Sequence, residues 1–186
     1  VVQPTPVVAI AVGTDETSFN GNDGTAAAIP SGGTPPYTFA WSNGATSDSL
    51  TGLAPGTYCV TVIDSNGCMD DACITIQAVS CNLSVSIIRT NPSCNGFNNG
   101  AGIAIAQNGT GALTYNWSNG DTTATISGLS SGNYTLTVSD QLGCTAVSSM
   151  TITDPPLLSI GLVPTNITCF GFGNGSIDLT VVGGTQ

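Results

Sequence analysis

The chain has 186 residues, with eleven acidic residues, one Lys or Arg, no His and a formal net charge of −10. A chain with a single cation cannot neutralise a run of phosphates, which argues against nucleic acid and anionic membranes as partners. Without His or Lys there is no His base, no His metal ligand and no Schiff-base lysine, so no enzymatic activity is predicted. The hydrophobic content of 40% argues against disorder, and the apolar runs are too short for a membrane helix.

Short runs of Val, Ile and Thr, separated by Gly, Asn, Asp, Ser and Pro, predict strands and turns along the whole chain. Within these runs apolar and polar residues alternate, which is typical of half-buried antiparallel strands. In the first part of the chain the inward-facing residues are predicted to be Tyr37, Phe39, Trp41, Tyr58, Val60, Val62, Ile74 and Ile76. In the second part strands are predicted at 83–90, 101–107, 113–118, 123–127, 133–140 and 145–153.

An internal repeat organises these strands. The segment Trp41–Gly44 recurs as Trp117–Gly120, and the same spacing of 76 residues carries many other positions without a gap. A third copy begins near Leu157, at a spacing of 75 residues. The predicted domains are therefore two whole repeats, 1–79 and 80–155, and the opening of a third at 156–186. This organisation suggests that the sequence is a segment of a longer array of repeats.

The predicted fold class is all-β, with tandem antiparallel β-sandwich repeats of the immunoglobulin type. Each full repeat has six or seven short strands and one Trp, and Tyr58 and Tyr134 open the penultimate strands as corner tyrosines do. A unit of about 76 residues buries only some 60–65% of its unfolded surface. Because such a small core is marginal, additional stabilisation by cysteines is expected.

The seven cysteines are interpreted as disulfide partners in an oxidising compartment, because the chain has neither a pair of CxxC motifs nor a His to complete a zinc site. The hairpin that turns at 64–68 places Cys59 directly opposite Cys73, on its outward face. We therefore expect a disulfide between these two residues.

The second expected disulfide joins Cys94 to Cys144. If the six strands of a repeat alternate up and down, its first and last turns lie at the same end. Cys169 matches Cys94 in the third copy, and its partner is expected beyond Gln186. Cys68 and Cys81 are left unassigned, because a straight last strand puts them at opposite ends.

The combined motifs resemble the SprB-type repeat. They are a Cys-Asn-Gly opening, a Gly-Gly-Thr-Pro-Pro-Tyr segment, Trp-Ser-Asn-Gly, Gly-Leu…Gly-x-Tyr and Val-x-Asp…Gly-Cys. In this chain they stand at Cys94–Gly100, Gly32–Tyr37, Trp41–Gly44, Gly52–Tyr58 and Val62–Cys68. PKD-like domains share the aromatic strand, the Trp-x-x-Gly turn and the Gly-x-Tyr strand.

This resemblance implies an extracellular β-sandwich array in a very large cell-surface protein of Bacteroidota. Such proteins include gliding-motility adhesins exported by type IX secretion. The repeats are expected to act as stalk, filament or adhesin, with no catalytic residue and no inserted membrane segment. The expected partners are neighbouring repeats or further copies of the same chain in a fibre.

Carboxylates offer the remaining site chemistry. If the first and last turns of a repeat share one end, Asp15, Asp23, Asp64 and Asp70 become candidates for a Ca²⁺ site. The alternative is that these residues simply favour turns and keep the surface soluble. No other cofactor is expected.

Two exposed hydroxyls are candidates for glycosylation. Ser49 in Asp48-Ser49-Leu50 and Thr122 in Asp121-Thr122-Thr123 resemble the O-glycan acceptor motif of Bacteroidota. Both follow the Trp-Ser-Asn-Gly turn of their repeat.

The sequence therefore predicts a structural and adhesive repeat segment of a secreted bacterial surface fibre or adhesin stalk. The alternative is a carbohydrate- or Ca²⁺-dependent ligand-binding module that recognises surface polysaccharide. A patch of exposed aromatic residues would favour this second function. Phe97, Phe170 and Phe172, in the loops that follow the first strand of each repeat, are the aromatic residues expected to be exposed.

Overall fold

The computed structural model describes residues 5–184, which form antiparallel β-strands and no helix. The strands of the first repeat are β1 (Val8–Thr14), β2 (Gly24–Ser31), β3 (Thr38–Trp41), β4 (Ser49–Leu53), β5 (Gly56–Ile63) and β6 (Met69–Ile76). Those of the second are β7 (Ser84–Thr90), β8 (Gly100–Gln107), β9 (Thr114–Trp117), β10 (Thr125–Leu129), β11 (Gly132–Ser139) and β12 (Thr145–Ile152). Two more, β13 (Ser159–Thr165) and β14 (Ser176–Val182), follow. Within the described residues no helix is long and apolar enough to cross a membrane.

Each full repeat folds into two three-stranded sheets. In the first repeat the strand orders are β1-β2-β4 and β3-β5-β6, and the second repeat has the corresponding orders β7-β8-β10 and β9-β11-β12. In the first repeat the chain changes sheet between β2 and β3, between β3 and β4 and between β4 and β5, and the second repeat does the same at the corresponding connections. The prediction of an all-β, immunoglobulin-like sandwich is therefore confirmed.

A tryptophan lies in the core between the sheets of each repeat. Trp41 and Trp117 are 4% and 2% exposed, and each indole Nε1–H donates a 2.9 Å hydrogen bond, to the carbonyls of Ser47 and Thr123 respectively. These bonds satisfy the only polar atom of a large buried side chain. In the second repeat the tryptophan packs with Ala104, Ile126, Leu129, Leu136, Val138, Met150 and Ile152.

The penultimate strand of each repeat begins with a tyrosine corner. The hydroxyl of Tyr58 donates to the carbonyl oxygen of Ala54 at 3.0 Å, and that of Tyr134 donates to Ser130 at 3.1 Å. In both cases the acceptor lies four residues upstream, which fixes the approach of the chain to the strand.

The residues of β13 and β14 pair with each other from Ser159↔Val182 to Thr165↔Ser176. Every residue of this hairpin is exposed, including its large apolar side chains. The predicted domain boundaries at 79/80 and 155/156 remain a prediction. By their contacts the residues form two compact units, one of 1–82 with 142–144 and one of 83–141 with 145–186. Thr185 and Gln186, with which the predicted third copy ends, lie outside the described residues.

Candidate functional site: cysteines, opening loops and an open hairpin

One disulfide lies across the last hairpin of the first repeat. Cys59 and Cys73 are directly opposed in the register of β5 and β6, and their sulfur atoms are 2.04 Å apart. This is the pair that the hairpin register predicts. In the second repeat the same positions are held by Thr135 and Ser149, which are also directly opposed. The covalent link is therefore specific to the first repeat.

A second disulfide joins Cys81 to Cys144, with a Cα–Cα distance of 5.5 Å. The predicted pairing of Cys94 with Cys144 is wrong, since Cys94 is a free, exposed thiol. Sequence reasoning missed Cys81, which lies three residues before the start of β7. Its bond closes a loop with a sequence separation of 63 residues that contains β7 to β11.

The prediction failed because the strands do not alternate in direction at every turn. β9 and β10 run the same way, since the loop between them changes sheet without reversing the chain. The side chain of Asn91, just after β7, donates to the hydroxyl of Thr153, just after β12, at 3.0 Å. The ends of β7 and β12 thus lie together, and the turn that precedes β12 returns to the start of β7. That is where Cys81 stands.

Three further cysteines, Cys68, Cys94 and Cys169, are free and exposed. Cys68 ends the β5–β6 turn, at the position that Cys144 holds in the second repeat. Cys94 and Cys169 lie in the loops after the first strand of the second and third repeats, which we call the opening loops (15–23, 91–99 and 166–175). The first opening loop has Ser18 at this position.

The same hydrogen bonds close all three opening loops. In the second, Asn99 Oδ1 accepts from the Ser93 amide at 3.0 Å, and Asn99 Nδ2 donates to Ser93 Oγ at 2.8 Å. Thr168 and Asn174 form the same two bonds in the third loop, and in the first loop the Asp23 carboxylate accepts from both the amide and the hydroxyl of Thr17. The Thr17 side chain, followed by its backbone amide, lowers the pKa of the Asp23 carboxyl. Asp23 is thus engaged in loop closure.

The four calcium candidates do not converge. Asp15 accepts the amide of Gln77, and Asp70 accepts the amide of Ala9, each at 2.8 Å, at opposite ends of the first repeat. The predicted proximity of the two acidic turns is wrong for the same topological reason as the Cys94 pairing. Within residues 5–184 no group of three or more His, Cys, Asp or Glu side chains comes together that could hold a metal ion.

Asp64 organises the β5–β6 turn. It is 6% exposed, and its carboxylate accepts the backbone amides of Thr34 at 2.9 Å, Asn66 at 2.9 Å and Cys68 at 2.8 Å. The hydrogen bond from Thr34 is the main cause that lowers the pKa of Asp64 below its ordinary value of 3.8, and the turn amides add to it. In the second repeat Asp140 accepts the amide of Thr110 at 3.0 Å in the same way.

These bonds predict a stabilisation that depends on pH. Because the pKa of Asp64 is lowered by folding, its contribution is present above the ordinary value of 3.8 and is lost as the pH falls through the folded value. We expect Asp64→Asn to lower the Tm at pH 7 and to matter much less at pH 2 to 3. Thermal denaturation of both proteins across this range measures the difference. Asp48→Asn, at an exposed position, is the control, and a Tm difference independent of pH would contradict the assignment.

The exposed aromatic residues gather on the opening loops. Phe97, Phe170 and Phe172 are exposed, as predicted, and Phe19 in the first opening loop is 45% exposed. In the first unit the Phe19 amide donates to the carbonyl of Leu142 at 2.8 Å. The opening loops therefore present apolar side chains to the surroundings.

The two glycosylation candidates are both exposed. Ser49 begins β4, and its hydroxyl donates to the carboxylate of Asp48 at 3.1 Å. Thr122 lies in the loop before β10, next to Asp121, whose carboxylate accepts from Asn119 at 2.7 Å. Both hydroxyls can be reached from solvent.

Fold and site together define a tandem β-sandwich repeat protein whose polar side chains mainly organise its own turns and loops. The sequence model of the SprB repeat matches residues 11–46 and 161–186. The family model thus matches two segments of the chain, and the resemblance seen in its motifs is confirmed. The 76-residue spacing relates the second repeat to the first.

No curated protein matches the chain by sequence. Among solved structures it is similar to a C-terminal 282-residue fragment of intimin in complex with the intimin-binding domain of its translocated receptor. The identity is 16%, the TM-score is 0.33, and the match covers 88% of this chain and 67% of that one. Fibronectin(III)-like modules of CbhA from Clostridium thermocellum match with 15% identity, a TM-score of 0.28 and coverages of 80% and 93%. A tetra-tandem repeat from the extending region of a large adhesion protein matches with 17% identity and a TM-score of 0.23. This match covers 95% of this chain and 66% of that one.

Proposed function

We propose that this chain is a structural and adhesive repeat segment of a secreted bacterial cell-surface fibre or adhesin stalk. Length in such a fibre comes from copy number, and each repeat contributes a small, separately stabilised core. The SprB match supports a repeat-containing surface protein. Export by type IX secretion, a role in gliding motility and association with neighbouring repeats or further copies in a fibre belong to the same proposal.

The observation that carries this proposal is the internal use of the polar groups. The same tryptophan, tyrosine and opening-loop hydrogen bonds recur from repeat to repeat, and Asp64 and Asp140 bind the chain's own amides. A site that recognises a ligand instead keeps converging polar groups available in a concave pocket. We therefore assign the chain a mechanical role and no catalytic one.

The exposed phenylalanines of the opening loops favour one alternative, a module that binds surface polysaccharide. Aromatic side chains on a surface offer faces on which sugar rings can stack. Phe170 and Phe172 stand together in one loop and are both exposed. A Ca²⁺-dependent version of this function has less support, because the acidic candidates lie apart.

A glycan array probed with the intact chain distinguishes the two functions. The structural role predicts no glycan signal above that of Phe170→Ser/Phe172→Ser, a variant that alters only exposed side chains. A glycan bound by the unchanged chain and lost in this variant would instead establish the alternative. Repeating the array in chelator tests its Ca²⁺-dependent form.

The proposed surface location also predicts O-glycans at Ser49 and Thr122. We expect chain purified from its native cells to exceed the mass of the bare polypeptide, with sugars on peptides that contain these two residues. Ser49→Ala and Thr122→Ala should each remove one glycan. A native mass equal to that of the unmodified chain would refute the prediction.

A further inference from the structure

The second compact unit contains a cavity of about 320 Å³ beside the free thiol of Cys94. Its walls include Asn95 of the opening loop, Pro156 and Leu158 before β13, and Gly184 after β14. Asn95 Nδ2 donates to the carbonyl of Pro155 at 2.9 Å, which holds the opening loop against the chain that leads to β13. The cavity is thus built by the loop of one repeat and the beginning of the next.

The neighbours of the β11–β12 turn, residues 140–144, can be compared with the residues that line this cavity. Its cysteine is bonded to Cys81, and its Leu142 carbonyl accepts the Phe19 amide at 2.8 Å. Its first residues contact the segment that follows β8, where the amide of Gln141 donates to the carbonyl of Thr110 at 3.1 Å. The turn therefore has three neighbours: residue 81, the opening loop of the first repeat, and residues 109–110.

Repeat spacing maps these three neighbours onto the walls of the cavity. At a spacing of 75, Cys81 corresponds to Pro156 and Gly109 to Gly184, and at a spacing of 76, Phe19 corresponds to Asn95. Pro156, Gly184 and Asn95 all line the cavity. The residues that line the cavity thus correspond to the residues that surround the β11–β12 turn, but no turn lies between them.

We propose that this cavity is the seat of the final hairpin turn of a completed third repeat, with the sequence pattern Asp-x-x-Gly-Cys, and that Cys94 forms a disulfide with the cysteine of that turn. The occupant is the chain segment that supplies the equivalents of β9 to β12. This inference does not depend on whether the fibre adheres or binds a ligand.

The hairpin of β13 and β14 provides independent support for this occupant. Its paired residues Ile160↔Val181 and Leu162↔Leu179 stand at the positions of Val85↔Ala106 and Ile87↔Ala104 in the second repeat. There Ala104 is buried in the core cluster that includes Trp117 of β9 and Leu136 of β11, and the other three residues are partly buried and pack against that cluster. The exposed apolar face of the β13–β14 hairpin therefore has the residue pattern of a sheet that packs in a sandwich. The equivalents of β9 and β11 in a completed third repeat would cover it.

We call the neighbours of the β11–β12 turn the first seat and the cavity the second seat. The distribution of cysteines between these two seats explains why Cys94 is free. At the first seat residue 81 is Cys and the opening loop has Ser18. At the second seat the position of residue 81 is Pro156, and the opening loop has Cys94. Each seat thus offers one sulfur to the turn cysteine, from one wall or from the other.

The chemistry is an ordinary thiol–disulfide exchange. One thiol attacks oxidised glutathione and releases one reduced glutathione, and the other thiol then displaces the second glutathione to form the protein disulfide. The two thiol protons and two electrons pass to oxidised glutathione, which leaves as two molecules of reduced glutathione. The reaction suits the oxidising compartment in which the other two disulfides persist.

The first test uses the chain as it stands. It gives the first seat the cysteine arrangement of the second, with a cysteine in the opening loop and none at position 81. We expect Ser18→Cys/Cys81→Ser, refolded in a glutathione redox buffer, to link position 18 to Cys144 in a non-reducing peptide map. Cys81→Ser alone is the matched control and should leave Cys144 as a free thiol, which is alkylated once the protein is denatured because the side chain is only 1% exposed in the folded chain. Ser18→Cys alone keeps the native partners and should show the new link in a measurable share of molecules. Absence of this link from both variants would overturn the proposal.

The second test supplies the occupant by appending a copy of residues 112–155 after Gln186. The copy carries Met150→Ala, because Ile177 replaces Gly102, where an added Cβ would lie 2.5 Å from the Met150 side chain. We expect Cys94 to become resistant to alkylation and to map to the cysteine of the appended turn. An appended Cys144→Ser copy should leave Cys94 reactive. A folded appended repeat with reactive Cys94, a link to Cys169 instead, or failure of the appended strands to fold would each contradict the proposal.

Discussion

Pulling the oxidised chain apart from its two ends is expected to release roughly 220 Å less contour length than pulling the reduced chain, for the Cys81–Cys144 loop alone. The bond spans a sequence separation of 63 residues, and an extended chain covers about 3.5 Å per residue. While the disulfide is intact, tension passes directly from Cys81 to Cys144. The strands between them can then unfold without lengthening the chain. Single-molecule force spectroscopy with and without reductant measures this difference.

The other disulfide provides an internal control for this experiment. Cys59–Cys73 has a sequence separation of 14 residues, so its loss should add only about 50 Å. Cys81→Ser should reproduce the large increment without reductant, and Cys59→Ser/Cys73→Ser only the small one. Closing the long loop also stabilises the folded state by about 4 kcal/mol in the chain-entropy description. Equal increments in the two variants would show that the assigned pairs do not form.

Replacing Trp117 with alanine is expected to unfold the second repeat selectively. Truncation of a buried Trp costs about 3–5 kcal/mol, and a small domain has a total stability of roughly 5–15 kcal/mol. Trp117 is 2% exposed and also donates to the carbonyl of Thr123, which would lose its partner. Hydrogen exchange should therefore show large losses of amide protection in β8 and β11, while β2 and β5 stay protected.

Two variants serve as controls for the Trp117 experiment. Trp41→Ala should give the mirror image, with protection lost in the first repeat and kept in the second. Trp117→Phe keeps most of the buried apolar area and should cause a smaller loss than Trp117→Ala. Equal loss in both repeats from either alanine variant would mean that they do not have separate cores.

The strands and their inward faces could be predicted from the sequence because each depends on neighbouring residues. Alternation with a period of two assigns Val60, Val62, Leu136 and Val138 to the interior, and these are 0–1% exposed. The Cys59–Cys73 opposition follows in the same way, since the 64–68 turn fixes the register of one hairpin. The repeat spacing transfers these assignments from one copy to the next.

The partner of Cys144 could not be predicted in this way, because it depends on the direction of every strand between residues 81 and 144. A single connection that changes sheet without reversing, between Trp117 and Thr125, moves the last turn to the other end of the repeat. The same change separates Asp15 and Asp23 from Asp64 and Asp70. Composition and spacing do not indicate that this connection keeps the direction of the chain, since a short loop that reverses the chain contains the same types of residue.

By itself the sequence determined that this chain is a series of β-sandwich repeats, because side-chain alternation and periodicity are local properties that survive without knowledge of the pairing. The tertiary structure alone decided which cysteines meet, which acidic residues stand apart, and that an opening loop and the start of the next repeat enclose a cavity. Those features arise where segments distant in sequence approach each other. Their approach is fixed by how the two sheets are connected and packed.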